Sequence, residues 1–223
     1  MEIKVLRKIL SHNEHQAENN RDIFHKHGIV VINMMSSPGA GKTTILEGTI
    51  DRLKAKYKMA VIEGDLMTSR DAERIHNKGV PVVQINTEGG CHLSAGMIYK
   101  ASHELDLENL EIIFIENVGN LVCPGAFDLG ENFKVVVSSV PEGDDKPLKY
   151  PLMFQEARAC ILNKVDLLSH TNFNLHNFLK DVYSLNNKGT VLQLSATAGT
   201  GFDDWCRWLE GEYQWELAKK HGK

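Results

Sequence analysis

"MMSSPGAGKTTILEG", Met34 to Gly48, leaves a run of apolar residues and enters a stretch of helical spacing. It fits the phosphate-binding pattern G-x-x-x-x-G-K-[ST] at Gly41, Lys42 and Thr43, but Ser36 stands at the first glycine position. That position mainly has to turn the chain out of a strand, which serine can do, so a working phosphate loop is expected. Gly39 and Gly41 let the backbone wrap close to phosphate oxygens. Backbone N–H groups and the helix N-terminus supply positive potential. Ala40 between the glycines and Thr44 at the helix start complete the expected contact set. Lys42 would reach the terminal phosphates and the Thr43 hydroxyl would bind magnesium. One group of dimeric ATPases carries an extra lysine near the start of this loop; Ser37 stands there in this chain.

Outward from the loop, the run 29–35 is continuously apolar, as a strand covered on both faces must be. Six similar runs follow at 58–64, 80–85, 111–117, 133–140, 158–164 and 190–196. Helix-length stretches lie between several of them, at 42–56, 68–78, 93–104, 172–185 and 202–219. The alternation predicts an α/β chain with three layers: a mainly parallel sheet of about seven strands with helices on both faces. Ligands of such sheets sit outside the carboxyl ends of the strands, so the chemistry is sought in the loops there. Residues 1–28 read as a separate polar segment rich in His, Asn and charge, and 29–223 as the nucleotide-binding domain. In the first segment Ile3, Leu6, Ile9 and Leu10 have the spacing of a short amphipathic helix.

The 223 residues suffice for one domain with a sizeable core, and 42% hydrophobic with 24% charged residues is ordinary for a soluble protein. The net charge of −4 offers no basic field for nucleic acid. No apolar run reaches the ~18 residues of a membrane span, and no apolar signal core opens the chain. A cytoplasmic protein is expected, with Cys91, Cys123, Cys160 and Cys206 as thiols rather than a disulfide framework.

The tetrapeptide NKVD, Asn163 to Asp166, ends the run RACIL and resembles the N-K-x-D guanine box of GTPases. A carboxylate at Asp166 can accept from the guanine ring N–H and its exocyclic amine, whereas adenine has no such donor pair. Lys164 would pack along the base and Asn163 would tie loops together. SATAG (195–199) follows the next strand, where GTPases place an S-A-x loop. There Ser195 and the Ala196 backbone N–H would meet the guanine oxygen. With motifs that resemble those of GTPases at both the phosphates and the base, a three-layer P-loop GTPase fold is expected. In EGDLMTSRDAERI, from Glu63, Asp65 could reach magnesium and Asp71 could orient the attacking water. Arg74 reads as the solvated partner of Asp71 on one helix face. ENVGN (116–120) stands where GTPases have D-x-x-G. Glu116 keeps the oxygen ligand, and Gly119 lets the backbone approach the terminal phosphate. Lys42, Asp65, Asp71 and Glu116 are thus the candidate catalytic residues.

EGGCHLSAG (88–96) and GNLVCPGAF (119–127) carry the second chemistry. Cys91 and His92 are adjacent, and Cys123 lies four residues past Gly119. Thiolate and imidazole suit zinc or nickel alike. Three ligands fall short of a closed structural site, and a two-fold dimer would join two sets. Cys160 and Cys206 read as packing residues, and His12, His15, His25 and His27 as solvated residues or an auxiliary metal-binding segment.

These motifs, with DDKPLKYP at 144–151, occur in the order found in the HypB family, and the chain resembles that family over roughly residues 29–210. HypB proteins are GTPases that assist nickel insertion into [NiFe] hydrogenase. The resemblance implies a GTP-dependent homodimer with a metal site of Cys91, His92 and Cys123 from each subunit. It also implies Mg2+-assisted hydrolysis of GTP to GDP, and partnership with a HypA-type metallochaperone and the hydrogenase large-subunit precursor. Many bacterial members carry an N-terminal C-x-x-C-G-C motif; this chain has no cysteine before Cys91. The other readings are a urease-type nickel accessory GTPase, which places its metal ligands in a C-P-H context, a P-loop kinase of a small metabolite, and a structural zinc protein. Pro147 and Pro151 predict a stiff loop at 144–151, in which Lys146 and Lys149 face nucleotide, partner or solvent.

Overall fold

The computed structural model describes residues 4–65 and 69–221, with side chains from 11 to 65 and from 69 to 219. Seven strands form one sheet: β1 (Val30–Ser36), β2 (Met59–Asp65), β3 (Val82–Asn86), β4 (Ile112–Glu116), β5 (Phe133–Ser139), β6 (Ala157–Asn163) and β7 (Thr190–Gln193). The spatial order is β3-β2-β4-β1-β5-β6-β7, and every pairing is parallel. The seven apolar runs of the sequence are these seven strands. The helices are α1 (Lys4–Lys26), α2 (Lys42–Leu53), α3 (Arg70–His76), α4 (Ala95–Ser102), α5 (Lys146–Lys149), α6 (Pro151–Glu156), α7 (Leu175–Leu185) and α8 (Phe202–His221).

Side chains alternate across each strand, so one face of β1 (Val30, Ile32, Met34) packs in a core with residues of α2 and α8. The opposite faces pack in two further cores, one reaching Phe24 of α1 and Ile98 of α4, the other Phe154 of α6 and Phe178 of α7. Helices therefore cover both faces, which is why the strands read as unbroken apolar runs. The chain runs from β1 outward to β2 and β3, returns to β4 beside β1, and then continues to β5 on the other flank. The strand order thus switches at β1, and the phosphate loop leaves its carboxyl end.

Two departures from the sequence reading are found. The expected short N-terminal helix is α1, 23 residues long; Ile3 and the side chains of Leu6, Ile9 and Leu10 lie outside the described residues. It is held by polar contacts: Asn20 Nδ2 donates to the carbonyls of Ala95 (2.8 Å) and Leu129 (2.9 Å), and Asn13 Nδ2 to that of Asp128 (2.7 Å). The stiff loop expected at 144–151 contains the four residues of α5 and the start of α6, because each proline occupies an early helical position. There its missing N–H costs nothing and its fixed φ is already helical.

The C-terminal helix is fastened by Arg158. Its guanidinium lies 4.5 Å above the Phe133 ring and 4.9 Å from that of Trp215. It also donates to Glu212 (2.8 Å) and Glu216 (2.6 Å). Burial alone would raise the Glu216 pKa; the Arg158 hydrogen bond and that of Asn132 outweigh it and hold it below the ordinary value. Arg158→Met is expected to cost on the order of 2 kcal/mol, between exposed and buried pairs. A lowered carboxylate pKa contributes stability that is present above its unfolded value and lost as pH falls through the folded value. The gap in melting temperature between Arg158→Met and the parent should therefore be widest near neutrality and close below about pH 4.5; a gap independent of pH would refute the ion-pair account.

Candidate functional site

The phosphate loop is built by its glycines. Gly41, the residue before α2, has φ +101°, and a Cβ there would sit 2.4 Å from Asn163 Nδ2. Neither the conformation nor the space allows a side chain. Ser36, the residue that departs from the pattern, is fully buried. Its hydroxyl donates to the Ser37 carbonyl (2.5 Å) and accepts from Lys42 Nζ (2.8 Å). The serine thus gives the lysine a resting partner. Ser37 Oγ donates to Glu142. Lys42 is itself buried, which lowers its pKa; Glu116, Asp71, Glu142 and Glu63 act in the opposite sense.

A cavity of about 450 Å³ opens over this loop. Its walls include Gly39, Gly41, Lys42, Thr43 and Thr44 from the loop and α2, and Asp65 and Asp71 from β2 and α3. Glu116, Gly119 and Lys164 complete it. Ala40 is buried beneath the loop. Thr43 Oγ1 donates to Glu116 Oε1 at 2.8 Å. Gly119 passes so close to the loop that a Cβ would lie 3.0 Å from Pro38 Cα. Residues 66–68, within EGDLMTSRDAERI, lie outside the described residues.

One wall residue was missed in the sequence. Glu63 on β2 stands beside Glu116 on β4, in register, and both are buried. Glu63 Oε2 and Glu116 Oε2 have no hydrogen-bond partner among the described residues. Burial first, then the charges of Glu116, Asp71 and Asp65, push Glu63 up to about 8. Burial likewise raises Glu116, against Lys42 and the Thr43 hydrogen bond. Two buried carboxylate oxygens without a proton donor, beside a threonine hydroxyl, fit a hard divalent cation with oxygen ligands. The signal was present: Glu63 precedes Asp65 by two, so both project from the same face of the strand. Arg74 also differs from the solvated pair expected. It does meet Asp71 (2.9 Å), but it reaches across to Glu47 (2.5 Å) and Thr44 Oγ1 (3.0 Å) and lines the cavity.

The loops after β6 and β7 meet the phosphate loop through Asn163. Its Nδ2 donates to the Ala40 carbonyl (2.8 Å), and its Oδ1 accepts from the backbone of Ala196 (3.0 Å) and Lys164 (2.8 Å). Lys164 takes a left-handed conformation, φ +60°, and its Nζ donates to the Gly39 carbonyl at 2.7 Å. Asp166 accepts from Ser195 Oγ, which itself accepts from the Ala198 amide (3.2 Å). Three sequence-distant segments thus converge on one end of the cavity.

Cys91, His92 and Cys123 come together, their ligand atoms all within 4.8 Å of one another. The two sulfurs are 2.9 Å apart, and Cys91 Sγ lies 3.4 Å from His92 Nδ1. The His92 ring stacks on Phe127 at 3.8 Å. Burial lowers the His92 pKa, the direction that favours the neutral imidazole a metal takes. The thiols are half-buried, so a metal has access. Cys160 and Cys206 are buried, and burial raises both thiols, Cys206 to about 11. They are packing residues. His12, His15 and His25 are exposed, and the Cys91, His92, Cys123 set is the metal-ligand group found among the described residues. Lys149 pairs with Asp145 at the exposed surface, and Lys146 lies over Tyr150.

The family model described as CobW/HypB/UreG, nucleotide-binding domain, matches residues 30–193. The chain is 50% identical over 202 residues to hydrogenase maturation factor HypB of Escherichia coli (strain K12), covering 91% of this chain and 70% of that protein. It is 42% identical over 212 residues to hydrogenase/urease maturation factor HypB of Helicobacter pylori (strain J99), covering 93% and 87%. Among solved structures, the crystal structure of HypB from Helicobacter pylori in complex with nickel superposes with a TM-score of 0.88 at 40% identity, over 92% of this chain and 96% of that one.

Proposed function

The chain belongs to the HypB family of the CobW/HypB/UreG nucleotide-binding proteins, and from that premise we propose that it is a GTP-hydrolysing nickel carrier for [NiFe] hydrogenase maturation. The observation that carries the reading is the Cys91, His92, Cys123 set, whose Cys123 stands on the loop that also lines the nucleotide cavity at Gly119. Relatives named as hydrogenase maturation factors support it, as does a similar structure in complex with nickel. They do not favour the urease-type or metabolite-kinase readings. The nickel ion is cargo: Cys91 and Cys123 offer thiolates, His92 an imidazole, and the open positions admit a partner's ligands. Zinc fits the same donors.

In this reading the phosphate-loop backbone and Lys42 hold the β- and γ-phosphates, and Asp166 selects guanine. Magnesium, when bound, supplies positive charge at the transferring phosphate; Thr43, Asp65 and Glu116, with Glu63, would hold it. Asp71 orients the attacking water from α3, where Arg74 fixes its carboxylate. Gly119 approaches the γ-phosphate, and its departure releases the segment 116–125 that bears Cys123. A GTP-dependent homodimer would join two metal sets, and the apolar side chains of Val122 on that loop and Leu152 beside Gly125 are exposed. A HypA-type metallochaperone and the large-subunit precursor complete the proposed partners. No described helix is long and apolar enough to cross a membrane, and four free thiols fit work in the cytoplasm.

The test is hydrolysis of GTP against ATP with magnesium, in the parent chain and in Lys42→Met. Lys42→Met is expected to lower kcat by about 10²–10³-fold, the usual cost of one charge-stabilising donor. Equal turnover of ATP and GTP, or an unaffected Lys42→Met, would remove the reading.

A further inference from the structure

Four polar side chains interrupt the apolar packing beneath the two catalytic and metal-bearing loops. Asn33, in the middle of β1, is fully buried. Its Nδ2 donates to Glu131 Oε1 (3.1 Å), and its Oδ1 accepts from Asn117 Nδ2 (3.2 Å). Glu131 is buried, and its Oε2 accepts from the Leu129 amide at 2.6 Å. Lys134 Nζ lies 3.8 Å from Glu131 Oε1 and donates to the Gly125 carbonyl at 2.9 Å. At the other end, Asn117 Oδ1 accepts from the amides of Leu93 (3.3 Å) and Val118 (2.9 Å).

The ends of this row are informative. Leu93 follows His92, and Gly125 lies two residues past Cys123. Asn117 and Val118 line the nucleotide cavity. Buried polar groups cannot exchange a lost partner for water, so a rotation of one must be followed by the next. Apolar residues would fill the same space without that constraint. We propose that Asn117, Asn33, Glu131 and Lys134 form the positioning relay by which a phosphate in the nucleotide cavity sets the spacing of Cys91, His92 and Cys123. The inference rests on the nickel-carrier reading above and assigns its coupling to named residues. Coupling of this kind needs an element with two arrangements that both sites bias. Here that element is the segment 117–125, pinned by hydrogen bonds at both ends.

The experiment measures the nickel dissociation constant with GDP and with a non-hydrolysable GTP analogue in the parent, Lys134→Met, Glu131→Gln and Lys134→Arg. Neither Lys134 nor Glu131 lines the nucleotide cavity or ligates metal. In the parent the two constants are expected to differ by roughly 5–150-fold, and in Lys134→Met by less than about twofold. Glu131→Gln, which keeps the shape and the hydrogen bond to Asn33, falls between; Lys134→Arg restores the parent ratio. Guanine-nucleotide affinity stays at the parent value in all four. A parent ratio retained by folded Lys134→Met and Glu131→Gln would overturn the relay. So would a lowered melting temperature with both constants weakened equally, the mark of a structural role alone. A parent ratio of one would instead sink the nucleotide-switched carrier itself, and the relay with it.

Discussion

A Cys123→Ser chain is expected to bind nickel at least about 10–100-fold more weakly than the parent, since loss of a mere outer-shell partner already costs that much. Serine keeps the volume but replaces a soft thiolate with a hydroxyl that does not ionise near neutral pH. Cys91 and His92 then remain as the only two protein ligands of the set in one subunit. The fold should survive, because the backbone at this position is held independently: the Cys123 amide donates to Asn120 Oδ1 at 3.4 Å. Competition against a chromophoric chelator measures the affinity, and a nickel–thiolate absorption band, weakened in the variant, reports the ligand directly. Cys206→Ala is the control, since that thiol is buried and raised to about 11. Parent-like nickel affinity and an unchanged band in Cys123→Ser would disqualify the cluster as the cargo site.

The second expected result concerns the base. Asp166→Asn should weaken GTP binding by about 10²–10⁴-fold, approaching the discrimination of sites built to pair a specific donor set. The carboxylate can accept from the ring N–H and the exocyclic amine of guanine; an amide places an N–H donor against one of them. Xanthosine triphosphate, whose base carries a carbonyl in place of that amine, should bind the variant better than GTP does. The hydroxyl of Ser195, which donates to Asp166, can donate equally to the amide oxygen, so the loop is expected to persist. Calorimetric titration with both nucleotides reads the exchange of preference. A variant that still prefers GTP over its xanthine analogue would mean that Asp166 does not face the base.

Much of this molecule was legible because burial leaves a simple trace. Each strand of a parallel sheet covered on both faces must be apolar throughout, so seven runs marked seven strands. The phosphate loop announced itself because Gly41 admits no side chain against Asn163. What escaped had weaker local signals. α5 and α6 hid behind Pro147 and Pro151, which read as loop residues until their place at the start of a helix is known. Arg74 looked solvated beside Asp71, their spacing of three along one short helix being all that sequence displays. Its reach to Glu47 and Thr44 depends on α3 lying against α2.

By itself the sequence determined the architecture and the phosphate loop, and it named the candidate residues for a base and for a metal. Local geometry and the hydrophobic period suffice for these. Tertiary structure alone decided which carboxylates share a wall, why Ser36 suits Lys42, and how the loops are joined underneath. Glu63 meets Glu116 only because β2 pairs with β4, 53 residues apart in register. Asn33, Asn117, Glu131 and Lys134 become a row only when β1 lies between β4 and β5. Hydrogen bonds between residues so far apart leave no periodic mark in a chain. They are specified by pairing order, which no single segment contains.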